Sequence, residues 1–159
     1  GTAMSKSLRR VQSALEAAGL TIDIRETDDS ARTAEGAAAA VGCTVDQIAK
    51  SIIFRGEDSG HVVLFLTAGG NRVDPAKATA VAGQVLGKAD ADLIRAETGF
   101  AIGGVAPLGH LRRIDAFLDP RLLEFDQVWA AAGTPRHVFA IAPGDLLRVT
   151  GAVQADFTA

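Results

Sequence analysis

The sequence predicts an α/β (α+β) domain, with a mixed, largely antiparallel sheet curled toward a barrel and helices flanking it. Three observations predict it. Segments of helical period and segments of strand period interleave along the chain. Lys50–Phe54 and His61–Thr67 are two β-rich runs on either side of the turn residues Glu57, Asp58, Ser59 and Gly60. They read as a β-hairpin, which argues against an all-parallel sheet. Beyond Gly99 glycine and proline punctuate a mostly β-rich region.

The elements follow in order. Leu8, Val11, Leu15 and Ala18 recur at helical spacing over Ser7–Ala18, and Gly19 sits where a helix-ending glycine belongs. Thr21–Arg25 alternates, with Ile22 and Ile24 on one face, as a strand does. Thr33 is placed to cap a helix through Ala37–Val41 that Gly42 stops, and Thr44 with Gln47 has capping-box spacing. After the hairpin, Asp74-Pro75 is a helix start, a capping residue followed by proline at the first helical position. Asp90 begins another helix, which ends at Thr98 before Gly99. Strands are expected at Phe100–Ile102, Arg113–Leu118, Gln127–Ala130 and His137–Ile141, with a short helix after Pro143.

The 159 residues suit one domain, expected over residues 4–159, with Gly1–Ala3 reading as a cloning remnant before Met4. No apolar run is long enough to cross a bilayer, no signal peptide follows Met4, and Cys43 is the sole cysteine. A cytoplasmic protein with no membrane partner is expected. A net charge of −3 and a pI of about 5.6 argue against a protein that coats long nucleic acid. They leave room for one that grips only the end of an RNA. Arg112, Arg113, Arg121, Arg136 and Arg148 crowd the C-terminal half, as a basic rim or as ordinary surface arginines.

Several chemistries lack their motifs. There is no HExxH and no paired CxxC, and His61, His110 and His137 are far apart in sequence, so no metal site is expected. Neither a P-loop, a GxGxxG nor a GxSxG elbow is present. Cys43, after Gly42 at a helix end, reads as a small buried residue rather than a nucleophile.

Two segments have a chemical look. In Ile48–Phe54, Lys50 opens an apolar, β-branched run. Its ammonium is either a compact cation for phosphate or a polarised carbonyl, or a charge snorkelling from a strand end. Thr98–His110 has four glycines and a proline among apolar residues. Gly103-Gly104 lets backbone approach a ligand closely, and free N–H groups in such a loop can hold an anion or a developing oxyanion. Pro107 would stiffen it. A bulged strand with a turn fits the same composition.

Lys50-Ser51 before an apolar strand, followed about fifty residues later by Thr-Gly-Phe-(x)2-Gly-Gly-Val-(x)-Pro-Leu-Gly, resembles the YbaK/prolyl-tRNA-synthetase-associated editing domain family. The similarity runs from the first helix to about Val149. It implies a YbaK-like fold and a trans-editing hydrolase that deacylates mischarged aminoacyl-tRNA. The substrate it implies is tRNA for proline carrying Cys, Ala, Ser, Thr or a similar small residue. It also implies no metal and no organic cofactor. The acceptor end of aminoacyl-tRNA is the implied partner, with prolyl-tRNA synthetase a further one, and the chain carries no synthetase body.

By position, Lys50, Gly103 and Gly104 match the family's catalytic lysine and loop. Pro107, Gly109 and Ser51 match substrate-binding positions, and Thr33, Ser30, Asp115 and His137 are further candidates around the substrate. Thr134-Pro135-Arg136-His137 has the histidine, but not the asparagine, that part of the family pairs near its C-terminal strand. Because an aminoacyl ester is already activated, no strong nucleophile is needed. Loop amides would hold the carbonyl oxygen, Lys50 would hold the terminal adenosine or its phosphate, and water or a group on the substrate would attack. Two other functions fit the same cleft: a non-catalytic tRNA- or synthetase-binding module, and a small-molecule ester hydrolase.

Overall fold

The computed structural model of the chain describes residues 5–21 and 23–159, without the side chain of Ser30. Gly1–Ala3, expected to be a cloning remnant, and the place of Ile22 on a strand face lie outside the described residues. Helix α1 is Lys6–Ala17: Ser5 Oγ accepts the Leu8 N–H at 3.1 Å, and Leu8, Val11 and Leu15 turn inward at the expected spacing. Strand β1 is Ile24–Glu26. A 3₁₀ turn, Asp29–Arg32, leads into α2, Ala34–Val41, capped by Thr33 Oγ1 on the Gly36 N–H at 3.0 Å. Gly42 ends α2 at φ +78°, a left-handed conformation that favours glycine.

A further 3₁₀ turn, Val45–Gln47, precedes the hairpin of β2, Ile48–Gly56, and β3, Val62–Ala68. Then come α3 (Pro75–Ala82), β4 (Leu86–Lys88), α4 (Ala91–Thr98), β5 (Asp115–Leu118) and a 3₁₀ turn, Pro120–Glu124. Strands β6 (Val128–Ala131) and β7 (His137–Ile141), helix α5 (Pro143–Thr150) and strand β8 (Val153–Gln154) complete the order. The strand expected at Phe100–Ile102 does not form. Phe100 is fully buried in the core, and the Gly104 N–H closes a turn on the Ala101 carbonyl at 3.1 Å, with Gly103 at φ +91°.

The strands make one mixed sheet in the order β1-β7-β6-β2-β3-β5-β8, with β4 against β2. Pairs β1/β7, β6/β7, β2/β3 and β2/β4 are antiparallel; β2/β6, β3/β5 and β5/β8 are parallel. The sheet is open rather than closed into a barrel. Strand β3 is buried on both sides: Val62, Leu64, Leu66 and Ala68 join the core formed with α1, α4 and α5. Val63 and Phe65 face a second core with Ala78 of α3 and Phe157. A third, smaller core packs Ala37 and Ala38 of α2 over Ile48, Trp129 and Ala140.

One irregularity of the sheet positions the site. On the edge of β2 away from β3, β6 pairs only with Ile48 and Ala49, while β4 pairs only with Phe54–Gly56. The two neighbours diverge and leave Lys50–Ile53 without a strand on that edge. Unpaired backbone beside a gap is where a sheet can take a ligand.

Candidate active site

The gap opens into a pocket of about 510 Å³. Lys50, Ser51 and Ile52 form one wall, the start of α2 with Thr33 and Ala34 another, and Gly103 and His137 approach from their loop and strand. Residues about fifty to ninety positions apart in sequence therefore meet because β2 is central and the glycine loop folds back onto it. Ser51 ties that loop down: its Oγ donates to the Val105 carbonyl at 2.8 Å.

Lys50 Nζ donates to the Gly69 carbonyl at 3.2 Å. An ammonium has three donors, so two remain for a bound molecule. Two carboxylates hold the segment bearing Gly69. Asp119, only 2% exposed, accepts from the Ala68 N–H at 3.0 Å, from Asn71 Nδ2 at 2.9 Å and from the Arg121 N–H at 2.9 Å. Asp46 accepts from the Gly70 N–H at 2.9 Å and from Arg121 Nε at 3.0 Å. A Cβ on Gly69 would lie 2.3 Å from the Val45 carbonyl oxygen, so this turn requires glycine.

The two loop glycines differ in their surroundings. Gly103 lines the pocket, has open space around it, and its N–H has no acceptor among the described residues. Gly104 lies behind it: a Cβ there would come within 2.6 Å of the Thr134 backbone, and its N–H is spent on Ala101. Only the Gly103 amide of this pair is left to meet an anion. His137 Nδ1 is 2.7 Å from Thr134 Oγ1, so Thr134 orients the ring.

Pro107, Gly109 and Asp115 do not reach this pocket. They line a second cleft of about 300 Å³ with His110, Arg112 and Arg113. Asp115 is exposed there, 3.9 Å from Arg113. His110 Nε2 is 2.7 Å from the Ala106 carbonyl, and burial pushes its pKa below the usual histidine value. It braces the base of the glycine loop. The Ser30 side chain is outside the described part.

The arginines that stood out in the sequence are all paired with carboxylates: Arg112 with Glu97, Arg113 with Asp115, Arg121 with Asp46, Arg136 with Asp29 and Arg148 with Asp145. Burial pushes the Glu97 carboxyl up, but hydrogen bonds from His61 and the Val62 N–H, with the charges of His61 and Arg112, outweigh it and leave it below the usual range. The cations at the pocket are instead Arg32, Lys50 and Lys88. Among the described residues neither Arg32 nor Lys88 has an ion-pair partner, and the pocket lining includes no Asp or Glu. A protein of net charge −3 thus gathers three positive charges around one apolar hollow.

Sequence reasoning passed over Arg32, Lys88, Thr134 and Ile102. Arg32 stands directly before the Thr33 cap, which was a usable signal; Lys88 sits in a three-residue strand with no periodicity to mark it. Ile102 is a large apolar side chain left 57% exposed at the pocket, on the tip of the glycine turn. Cys43 is half-buried against the α2 core, and burial raises its thiol pKa, the reverse of an activated nucleophile. Among the described residues no group of three His, Cys, Asp or Glu side chains is placed to hold a metal ion, and no helix is long and apolar enough to cross a membrane.

Comparison with known proteins gives this geometry a family. The aminoacyl-tRNA editing domain model matches residues 28–149. The crystal structure of a protein described provisionally as a trans-editing enzyme for prolyl-tRNA synthetase is similar, with a TM-score of 0.91 and 48% identity over 99% of both chains. That of hypothetical protein APE2540 has a TM-score of 0.85 and 28% identity, over 94% of this chain and 99% of the other. The uncharacterized protein YwhH of Bacillus subtilis (strain 168) is 32% identical over 124 residues, 78% of each chain. The matched segment holds both Lys50 and the whole glycine loop, and the chain belongs to the aminoacyl-tRNA editing domain family.

Proposed function

We propose that this protein is a trans-acting aminoacyl-tRNA deacylase that hydrolyses tRNA for proline carrying a small wrong amino acid. The observation that carries the reading is the pocket itself: Lys50, the Gly103 amide and two further unpaired cations around a small apolar hollow. The acceptor end of tRNA brings phosphates, a ribose and an ester into such a place, and each has a complementary group there. Arg32 and Lys88 attract the backbone phosphates. Lys50 holds the terminal nucleotide and adds positive potential at the ester. The Gly103 N–H donates to the carbonyl oxygen as negative charge grows on it in the tetrahedral intermediate.

An ordered water, or a neighbouring group of the substrate, attacks the carbonyl carbon. The ester C–O bond breaks, and the ribose oxygen leaves with a proton. Holding the reactants together supplies much of the rate, because the ester is already activated. Ala34, Ala37, Ala49, Ala130 and Ala131 line the hollow and favour short side chains. One methylene shifts affinity by only about 1–3 kcal/mol in such a pocket, so tRNA identity must add to the selection. Prolyl-tRNA synthetase is the natural partner and the cytoplasm the natural setting.

The test is to charge tRNA for proline separately with Ala, Cys, Ser, Thr and Pro and follow loss of each ester. Loss of one or two wrong residues with Pro spared supports the reading. Tight binding of the charged tRNA with no loss of any ester would replace it with a binding module.

A further inference from the structure

The pocket's polar groups say what it does not read. An α-ammonium, the charged group on every amino acid ester, is told apart from a hydroxyl most strongly by a carboxylate partner, through a charge-assisted bond. Among the described residues none lines this pocket, while Arg32, Lys50 and Lys88 all do. Like charges disfavour the protonated amine, and phosphates that neutralise these cations still give it no protein carboxylate to pair with.

What remains is neutral. Ser51 Oγ donates to Val105, Thr33 Oγ1 caps α2, and Thr134 Oγ1 meets His137 Nδ1. The backbone edge of β2 over Lys50–Ile53 has no strand partner. Hydroxyls, a ring nitrogen and peptide groups bond to an amine or to a hydroxyl equally well. An α-hydroxyl is also close in size to the α-amine it would replace, so the alanine-lined hollow gives no steric ground for refusing it.

We infer that the site also hydrolyses 2-hydroxyacyl esters of tRNA, in which a hydroxyl stands where the amino acid has its α-amine. This rests on the deacylase reading above. Water adds to the carbonyl carbon, the bond to the ribose oxygen breaks, that oxygen takes a proton, and the 2-hydroxy acid leaves as its carboxylate with release of a proton. No oxidant, metal or co-reactant enters.

The experiment takes the small aminoacyl ester that the protein cleaves best and its 2-hydroxy counterpart, lactyl for alanyl, made by nitrous deamination of the same charged tRNA. Each enzymatic kcat/KM is divided by the spontaneous hydrolysis rate of the same ester, since the α-ammonium activates an ester on its own. The two normalised values are expected to agree within about tenfold. A site built to bind the amine rejects the analogue lacking it by roughly 10⁴-fold. A loss of 10³-fold or more with the aminoacyl ester still cleaved would therefore overturn this inference and leave the deacylase reading intact. Failure to cleave any aminoacyl ester would overturn both.

Discussion

Gly104→Ala isolates one contact of the glycine loop. The new Cβ would lie 2.6 Å from the Thr134 carbonyl carbon, 2.8 Å from its Cα and 2.9 Å from the Pro135 nitrogen. All three are backbone atoms and cannot rotate away, so the two loops must part by roughly an ångström. Overpacking of this kind costs about 1–3 kcal/mol. At about 3 °C per kcal/mol for a chain of this size, Tm should fall by roughly 3–9 °C. A domain with about 5–15 kcal/mol of stability stays folded at 25 °C, so activity can be measured on native protein. Both displaced loops line the pocket, through Gly103 and through Thr134 and Pro135. Misplacement of about 1 Å in a catalytic arrangement costs on the order of 10²-fold in rate. Gly144→Ala, where a Cβ meets nothing within 4 Å, is the control and should leave the rate alone. Differential scanning fluorimetry and single-turnover deacylation read the two effects. An unchanged Tm and rate in Gly104→Ala would refute the contact; a lower Tm with full activity would refute the loop's part in the chemistry.

Removing Arg32 or Lys88 as alanine should raise KM for charged tRNA and flatten the salt dependence of binding by about 0.7 in log–log slope each, whereas Arg148→Ala, already paired with Asp145, should change neither. Asp119→Ala leaves the Ala68 and Arg121 N–H groups and Asn71 unsatisfied and releases the turn bearing Gly69; a stability loss of about 2–4 kcal/mol is expected by chemical denaturation. In a Lys50→Ala background the same change should cost little further rate, because its effect on chemistry runs through Lys50. His110 is held neutral: its folded pKa is below its unfolded value, so its contribution is full above about 6.5 and is lost as pH falls through the folded value. Between pH 7 and 5 the wild type should lose more Tm than His110→Gln, by thermal melts across that range.

Most elements were legible because local signals and tertiary structure agree. Thr33 and Asp90 cap the helices they precede, glycines end four helices at positive φ, and the hairpin forms where its turn residues stand. The short strands β4 and β8 were not legible, since two or three residues show no period and are strands only because β2 and β5 lie beside them. The segment after Gly99 misled for a related reason: a buried phenylalanine before two glycines has strand composition, but a positive φ at Gly103 turns the chain.

Lys50, Ser51 and Gly103, which stand in the sequence motifs, all line the candidate pocket. Pro107, Gly109 and Asp115 could not be separated from them, since a few residues along a loop carry the chain from one cleft to another. The sequence leaves the C-terminal arginines open between a basic rim and ordinary surface residues, for an electrostatic reason. Charge counts do not reveal which cations are already neutralised, and here the conspicuous arginines are paired while Arg32 and Lys88 are not.

The most direct test compares wild type and Lys50→Ala in single-turnover hydrolysis of the mischarged tRNA that the protein cleaves best, with circular dichroism to verify the fold. Among the described residues the Lys50 ammonium makes one hydrogen bond, to the Gly69 carbonyl, so its loss should leave the fold intact. The rate should fall by about 10²–10³-fold, the usual effect of deleting a group that stabilises developing charge. A folded Lys50→Ala protein that deacylates at the wild-type rate would contradict the account.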